Sequence, residues 1–101
     1  MPKVYNLREL EKITTADLNS IIPLSADDMM SIEDMRVRLS NISKAITLGN
    51  NNDFHTDVVI NTTKGLVALH TKVLSIEGET LLVKEGYGIP ISCIYSLDMT
   101  K

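Results

Sequence analysis

The chain has 101 residues, of which 44% are hydrophobic and 23% charged, a balance that suits one domain with one core and excludes a disordered chain or two full domains. Ten Lys or Arg against thirteen Asp or Glu leave a net charge of -3, so no overall positive field draws the chain to nucleic acid. The single cysteine, Cys93, excludes an internal disulfide and a cysteine-built metal site, and it suits a reducing compartment.

Residues 1–30 read as short helical segments. Asn6 is placed to cap a first turn with Glu9 three residues on, and Leu7, Leu10 and Ile13 share a face of the turns after it. Thr15 is placed to cap a second turn through Leu18 and Ile21. Pro23 ends it, because the residue before a proline is pushed out of the α region. Charges interrupt the apolar residues of this segment, so it lacks the core of a signal peptide. No stretch approaches the roughly 18 apolar residues of a membrane span, so a cytoplasmic chain with no membrane contact is expected.

The main helix is predicted over residues 31–48. Ile32, Met35, Leu39, Ile42 and Ile46 recur at spacings of three and four, which draws one apolar stripe, with Glu33, Arg36, Ser40 and Ser43 opposite. Two starts match the capping-box pattern, Ser25 with Asp28 and Ser31 with Asp34, and the later one is favoured. Gly49 suits the left-handed position after a last turn, and Asn50, Asn51, Asn52 and Asp53 are loop formers, so the helix is expected to stop near Leu48.

Over residues 56–99 the period changes to two. Val58 and Ile60 alternate with polar neighbours, Lys64-Gly65 makes a turn, and Val67, Leu69, Thr71 and Val73 alternate on the return, which predicts a hairpin. The adjacent Val73 and Leu74, with Ile76 continuing the new phase, imply a bulge or sharp bend. Turns at Glu77-Gly78 and Glu85-Gly86 bound a strand from Thr80 to Val83. Pro90 suits an edge strand, Ser92 to Ile94 one 3₁₀ turn, and Tyr95 to Met99 a last strand. The predicted fold class is α+β: a single domain over 1–101, with N-terminal helical segments and then a small, strongly bent antiparallel sheet of about five strands.

This order, helix, bent hairpin, third strand, short strand, 3₁₀ turn and final strand, with Ile89-Pro90-Ile91-Ser92-Cys93-Ile94 as the corner, resembles the small SH3-like barrels over residues 31–99. The likeness is greatest to the Sm-like form with its N-terminal helix. The resemblance implies a barrel, with an open curved sheet as the alternative. In the Sm-like family it also implies RNA binding by a ring of subunits, through an Asp and an Asn in one loop and a basic-glycine pair in a later motif. Here that loop is Ser75-Ile76-Glu77-Gly78-Glu79 and the later corner is Ile91-Ser92-Cys93, so the family's binding residues are not carried over.

No residue is predicted to be catalytic, cofactor-binding or metal-ligating, and no cofactor is expected. His55 and His70, the only histidines, fall in no CxxC or HExxH pattern and read as surface or boundary residues. Cys93, between Ile91 and Ile94, reads as a buried, inert thiol. Asp27-Asp28 and Glu33-Asp34 sit where helix starts favour negative charge. Gly86-Tyr87-Gly88 reads as a turn whose aromatic is a contact candidate.

The expected function is therefore that of a non-enzymatic interaction module, binding a protein partner or a second copy as a homodimer. Its candidate surface is Leu10, Met29, Met30 and Tyr87. The alternative is an Sm-like or SH3-like nucleic-acid-binding or regulatory protein with contacts from Lys64, Lys72 and Lys84, which the net charge does not favour. An enzyme with a site invisible in one sequence ranks third.

Overall fold

A computed structural model describes residues 6–99. The N-terminal segment holds a 3₁₀ turn Leu7–Glu9, a strand β1 Glu11–Ile13, a 3₁₀ turn Thr15–Asn19 and another at Asp27–Met29. Asn6 caps the first turn by accepting from Arg8 N–H at 3.0 Å, in line with the sequence. The strand β1 is a departure. Instead of continuing a helical face, Glu11–Ile13 pairs in parallel with a strand more than fifty residues away.

The helix α1 is Ile32–Asn52. Ser31 and Asp34 form the capping box: Ser31 Oγ accepts from Asp34 N–H at 3.0 Å and Asp34 Oδ2 accepts from Ser31 N–H at 3.0 Å. The predicted end at residue 48 is corrected to Asn52. Gly49 is not the left-handed stop; it lies buried inside the helix, where a β-carbon would come within 2.7 Å of the Val73 carbonyl oxygen. Asp53 takes the left-handed position instead, at φ 54, and its carboxylate pairs with Lys72 Nζ at 3.1 Å.

The strands are β2 Thr56–Thr62, β3 Gly65–Thr71, β4 Val73–Glu77, β5 Thr80–Val83, β6 Gly88–Pro90 and β7 Ile94–Asp98, with a 3₁₀ turn at Ile91–Cys93 before β7. The β2–β3 hairpin has the predicted turn, with Thr62 opposite Gly65 and Asp57 opposite His70. The strand is interrupted at Lys72, and the register of β4 on β5 slips between Val73 and Ser75, where the change of phase predicted a bend.

The strands form two sheets rather than one closed sheet: a four-stranded sheet ordered β1-β3-β2-β7 and a three-stranded sheet ordered β4-β5-β6. Among the described residues the architecture is thus α+β, one α-helix with two sheets, and the predicted single antiparallel sheet is corrected by this division and by the parallel β1.

Alternation along the strands produces a main core from Val58, Ile60, Val67, Leu69, Val73, Leu81, Val83, Ile89, Ile94 and Leu97, with Ile42 and Ala45 of α1 packed in. A second, smaller core gathers Ala26, Val59 and Tyr95, with Leu7, Leu10, Met30 and Leu66 against them. The N-terminal segment therefore covers the other face of the four-stranded sheet, which is why Val59 and Ala68 are buried although they alternate with core residues. Among the described residues no helix is long and apolar enough to cross a membrane.

Candidate functional site

Two regions carry unspent chemistry: one flank of α1, and a polar pocket at the far end of the β2–β3 hairpin from its turn.

The inward face of the helix is rotated from the predicted apolar stripe and keeps part of it: Ile42 is fully buried and Ile46 packs against the main core. Asp34, Arg38, Ile42, Ala45 and Gly49 are buried, while Ile32 and Leu39 are 72% and 52% exposed. Arg38 explains the rotation. Its Nη1 donates to Asp27 Oδ1 and to the Ile94 carbonyl, each at 3.0 Å, so a buried cation is held by a carboxylate and the first residue of β7. Asp34 rotates inward with it. The N–H of Ser31 holds its carboxyl below the ordinary aspartate value, against the opposing effect of burial. Ile32 and Leu39, seven residues apart, are left uncovered on one side of the helix, with half-buried Met35 between them and exposed Glu33 and Arg36 beside them.

The pocket, of about 340 Å³, is built by separate parts of the chain: Ile13 at the end of β1 with Thr14 and Thr15 after it, His55 before β2, His70 and Thr71 at the end of β3, and Lys84 and Glu85 after β5. The rings of His55 and His70 stack with centroids 5.4 Å apart and planes within 15°. His70 Nδ1 lies 3.0 Å from Asp57 Oδ1; a carboxylate only accepts, so this contact places the ring proton on Nδ1. Nearby, the bond from Lys72 holds the Asp53 carboxyl below its ordinary value. Thr15 Oγ1 donates to Glu85 Oε1 at 3.0 Å across 70 residues of sequence. Glu85 stands at φ 70 and Gly86 at φ 83, a left-handed pair that a tight hairpin turn requires and for which Asn, Asp or Gly is the usual choice at both places.

Of the residues predicted for partner contact, Leu10 and Met30 are half-buried in the second core, Tyr87 is half-buried against the main core, and Met29 is 41% exposed. Lys72 and Lys84 are neighbours, with Lys84 N–H donating to the Lys72 carbonyl at 3.0 Å, but Lys64 sits at the opposite end of β3. A seven-residue strand, ~20 Å, separates it from them. Cys93 is buried as a free thiol. Among the described residues no group of three or more His, Cys, Asp or Glu side chains is placed to hold a metal ion.

Sequence reasoning assigned Ile32 and Leu39 to the core, and it missed the convergence of His55, His70, Thr15 and Glu85. A signal for part of the second existed: counting back from the Lys64-Gly65 turn places Asp57 opposite His70. Comparison with models of known protein families, with curated proteins and with solved structures found no match. The chain is defined by its own architecture as a small α+β domain.

Proposed function

We propose that this protein is a non-enzymatic interaction module that works by pairing with a second copy of itself through the uncovered flank of α1. The observation that carries this reading is the 72% exposure of Ile32 and the 52% exposure of Leu39 on a helix whose buried residues centre on Arg38, Ile42 and Ala45 instead.

The choice of a second copy follows from the charges around the patch. A two-fold contact must be self-complementary. An antiparallel pairing that sets Ile32 against the second copy's Leu39, and the reverse, brings Glu33 to the same side of the interface as that copy's Arg36. The offset along the axis is about two residues of helix rise, ~3 Å. Opposite charges then meet around an apolar centre.

Strand order and the bend at Lys72 support reading the sheets as an opened SH3-like small barrel, with α1 as its N-terminal helix. The buried free thiol of Cys93 suits the reducing cytoplasm. The nucleic-acid alternative draws little support from the lysines, because Lys72 is paired with Asp53 and Lys64 stands apart from the other two.

Sedimentation velocity over a range of concentrations tests the proposal. The wild-type chain should sediment as a dimer that dissociates on dilution, and Leu39→Lys should sediment as a folded monomer with a thermal midpoint that no longer depends on concentration. A wild-type chain that stays monomeric, or a Leu39→Lys variant that stays dimeric, overturns it.

A further inference from the structure

We infer that the pocket bounded by Thr14, Thr15, His55, His70, Lys84 and Glu85 binds a small zwitterion of the amino-acid class, its carboxylate facing Lys84 and its ammonium facing Glu85. At about 340 Å³ the pocket is large enough for such a molecule together with ordered water.

The charges around the pocket are not equally occupied. Lys72 is held by Asp53 at 3.1 Å and His70 by Asp57 at 3.0 Å, whereas Lys84 makes no ion pair among the described residues. Glu85, its chain neighbour, is turned to Thr15, which uses one of its oxygens and leaves acceptor capacity on the carboxylate. Lys84, whose charge reaches Asp53 only at longer range, and the partly committed carboxylate of Glu85 therefore line one pocket without an ion pair between them. A ligand of either single sign meets repulsion from one of them, and a zwitterion satisfies both.

The backbone adds an independent reason to assign Glu85 a purpose. Its turn needs a positive φ, and at the other tight turns the residue in that conformation is glycine, Gly65 at φ 100 and Gly78 at φ 61. Glu85 stands there against that preference, and what it supplies that glycine does not is a carboxylate fixed at the pocket wall. The stacked imidazoles of His55 and His70 form a flat wall against which the ligand's side chain lies.

The pocket shares no residue with the Ile32–Leu39 flank, so this inference and the dimer proposal fail or stand separately. The test is an amide chemical-shift titration of the full chain. The probes are L-phenylalanine and L-leucine, with phenylacetate, phenethylamine and inorganic phosphate as single-sign controls. Saturable shifts confined to residues 13–15, 55, 70–71 and 84–85 are expected with an amino acid, with each single-sign control at least tenfold weaker. Lys84→Met and Glu85→Gln should each weaken amino-acid binding about tenfold while leaving the thermal midpoint in place. Equal binding of phenylacetate or phosphate would make this an anion site. Equal binding of phenethylamine would make it a cation site. Either result overturns the inference, as does the absence of saturable shifts with both amino acids or wild-type affinity in both variants.

Discussion

Arg38 donates to the carbonyl oxygen of Ile94 at 3.0 Å, across 56 residues of sequence, and so ties the middle of α1 to the first residue of β7. The same nitrogen bonds Asp27, which anchors the 3₁₀ turn before the helix to the helix itself. One guanidinium thus joins three segments, and it sets which face of α1 is buried.

Replacing Arg38 with Met should cost about 2 kcal/mol in a chemical denaturation experiment, because the Ile94 carbonyl and Asp27 lose their donor while the aliphatic volume is kept. The Asp27 carboxylate, 39% exposed, turns to water and limits the loss. Arg38→Lys should lose less, since it keeps the charge and one nitrogen that can donate to both acceptors, though on a shorter side chain.

Gly49→Ala should destabilise the protein although alanine is the better helix former. The added β-carbon would lie 2.7 Å from a backbone oxygen, that of Val73, which has no rotamer by which to withdraw. Helix propensity returns up to ~1 kcal/mol and overpacking costs about 1–3, for a net loss of about 1 kcal/mol by equilibrium unfolding. Gly88→Ala meets the movable Thr80 Cγ2 at 2.8 Å instead, so the smaller loss belongs there.

Acid should loosen the start of α1. The Ser31 N–H, as the largest influence, holds the Asp34 carboxyl below the 3.8 of an ordinary aspartate. The ionised form is thus the one that folding favours. This stabilisation is complete above the unfolded value and is lost as pH falls through the lower folded value. Thermal midpoints measured from roughly pH 6 down to pH 2 should therefore fall further for the wild type than for Asp34→Asn. Equal slopes would remove Asp34 from the acid response.

Glu85→Gly should raise stability by about 0.5–1 kcal/mol, because the left-handed conformation is free of strain for glycine and the lost Thr15 bond is exposed. Thermal unfolding of this variant beside Thr15→Val separates the two contributions, with Thr15→Val losing a few tenths of a kcal/mol from the exposed bond alone.

Local features were legible wherever a short-range pattern had a single solution. The Ser31–Asp34 capping box, the Lys64-Gly65 turn, the bend after Thr71, and the 3₁₀ corner after Pro90 all depend on residues within a few positions of one another. What escaped depended on distant partners. The polar run Asn50 to Asn52 stays helical because the helix has packed Gly49 against Val73 and found its cap in Asp53, itself held by Lys72. The inward face of α1 was legible at Ile42 and Ile46 but misread at Ile32 and Leu39, because hydrophobic periodicity ranks them above a charged Arg38, and nothing local announces that Asp27 and Ile94 await it. The imidazole stack likewise needs both the hairpin register and the path of the chain from α1 into β2.

The parallel pairing of β1 with β3 also bears on how copies of this chain avoid one another before they are fully folded. Without β1, the edge of β3 would present the unpaired backbone of Val67, Ala68 and Leu69, a run that invites another strand to add. The strand that occupies it is only three residues long and carries exposed Glu11 and Lys12, a poor template for further addition. Its partner lies more than fifty residues away, so β1 can dock only after a long loop closes. The interval before it docks is when the chain is most exposed to edge-to-edge aggregation.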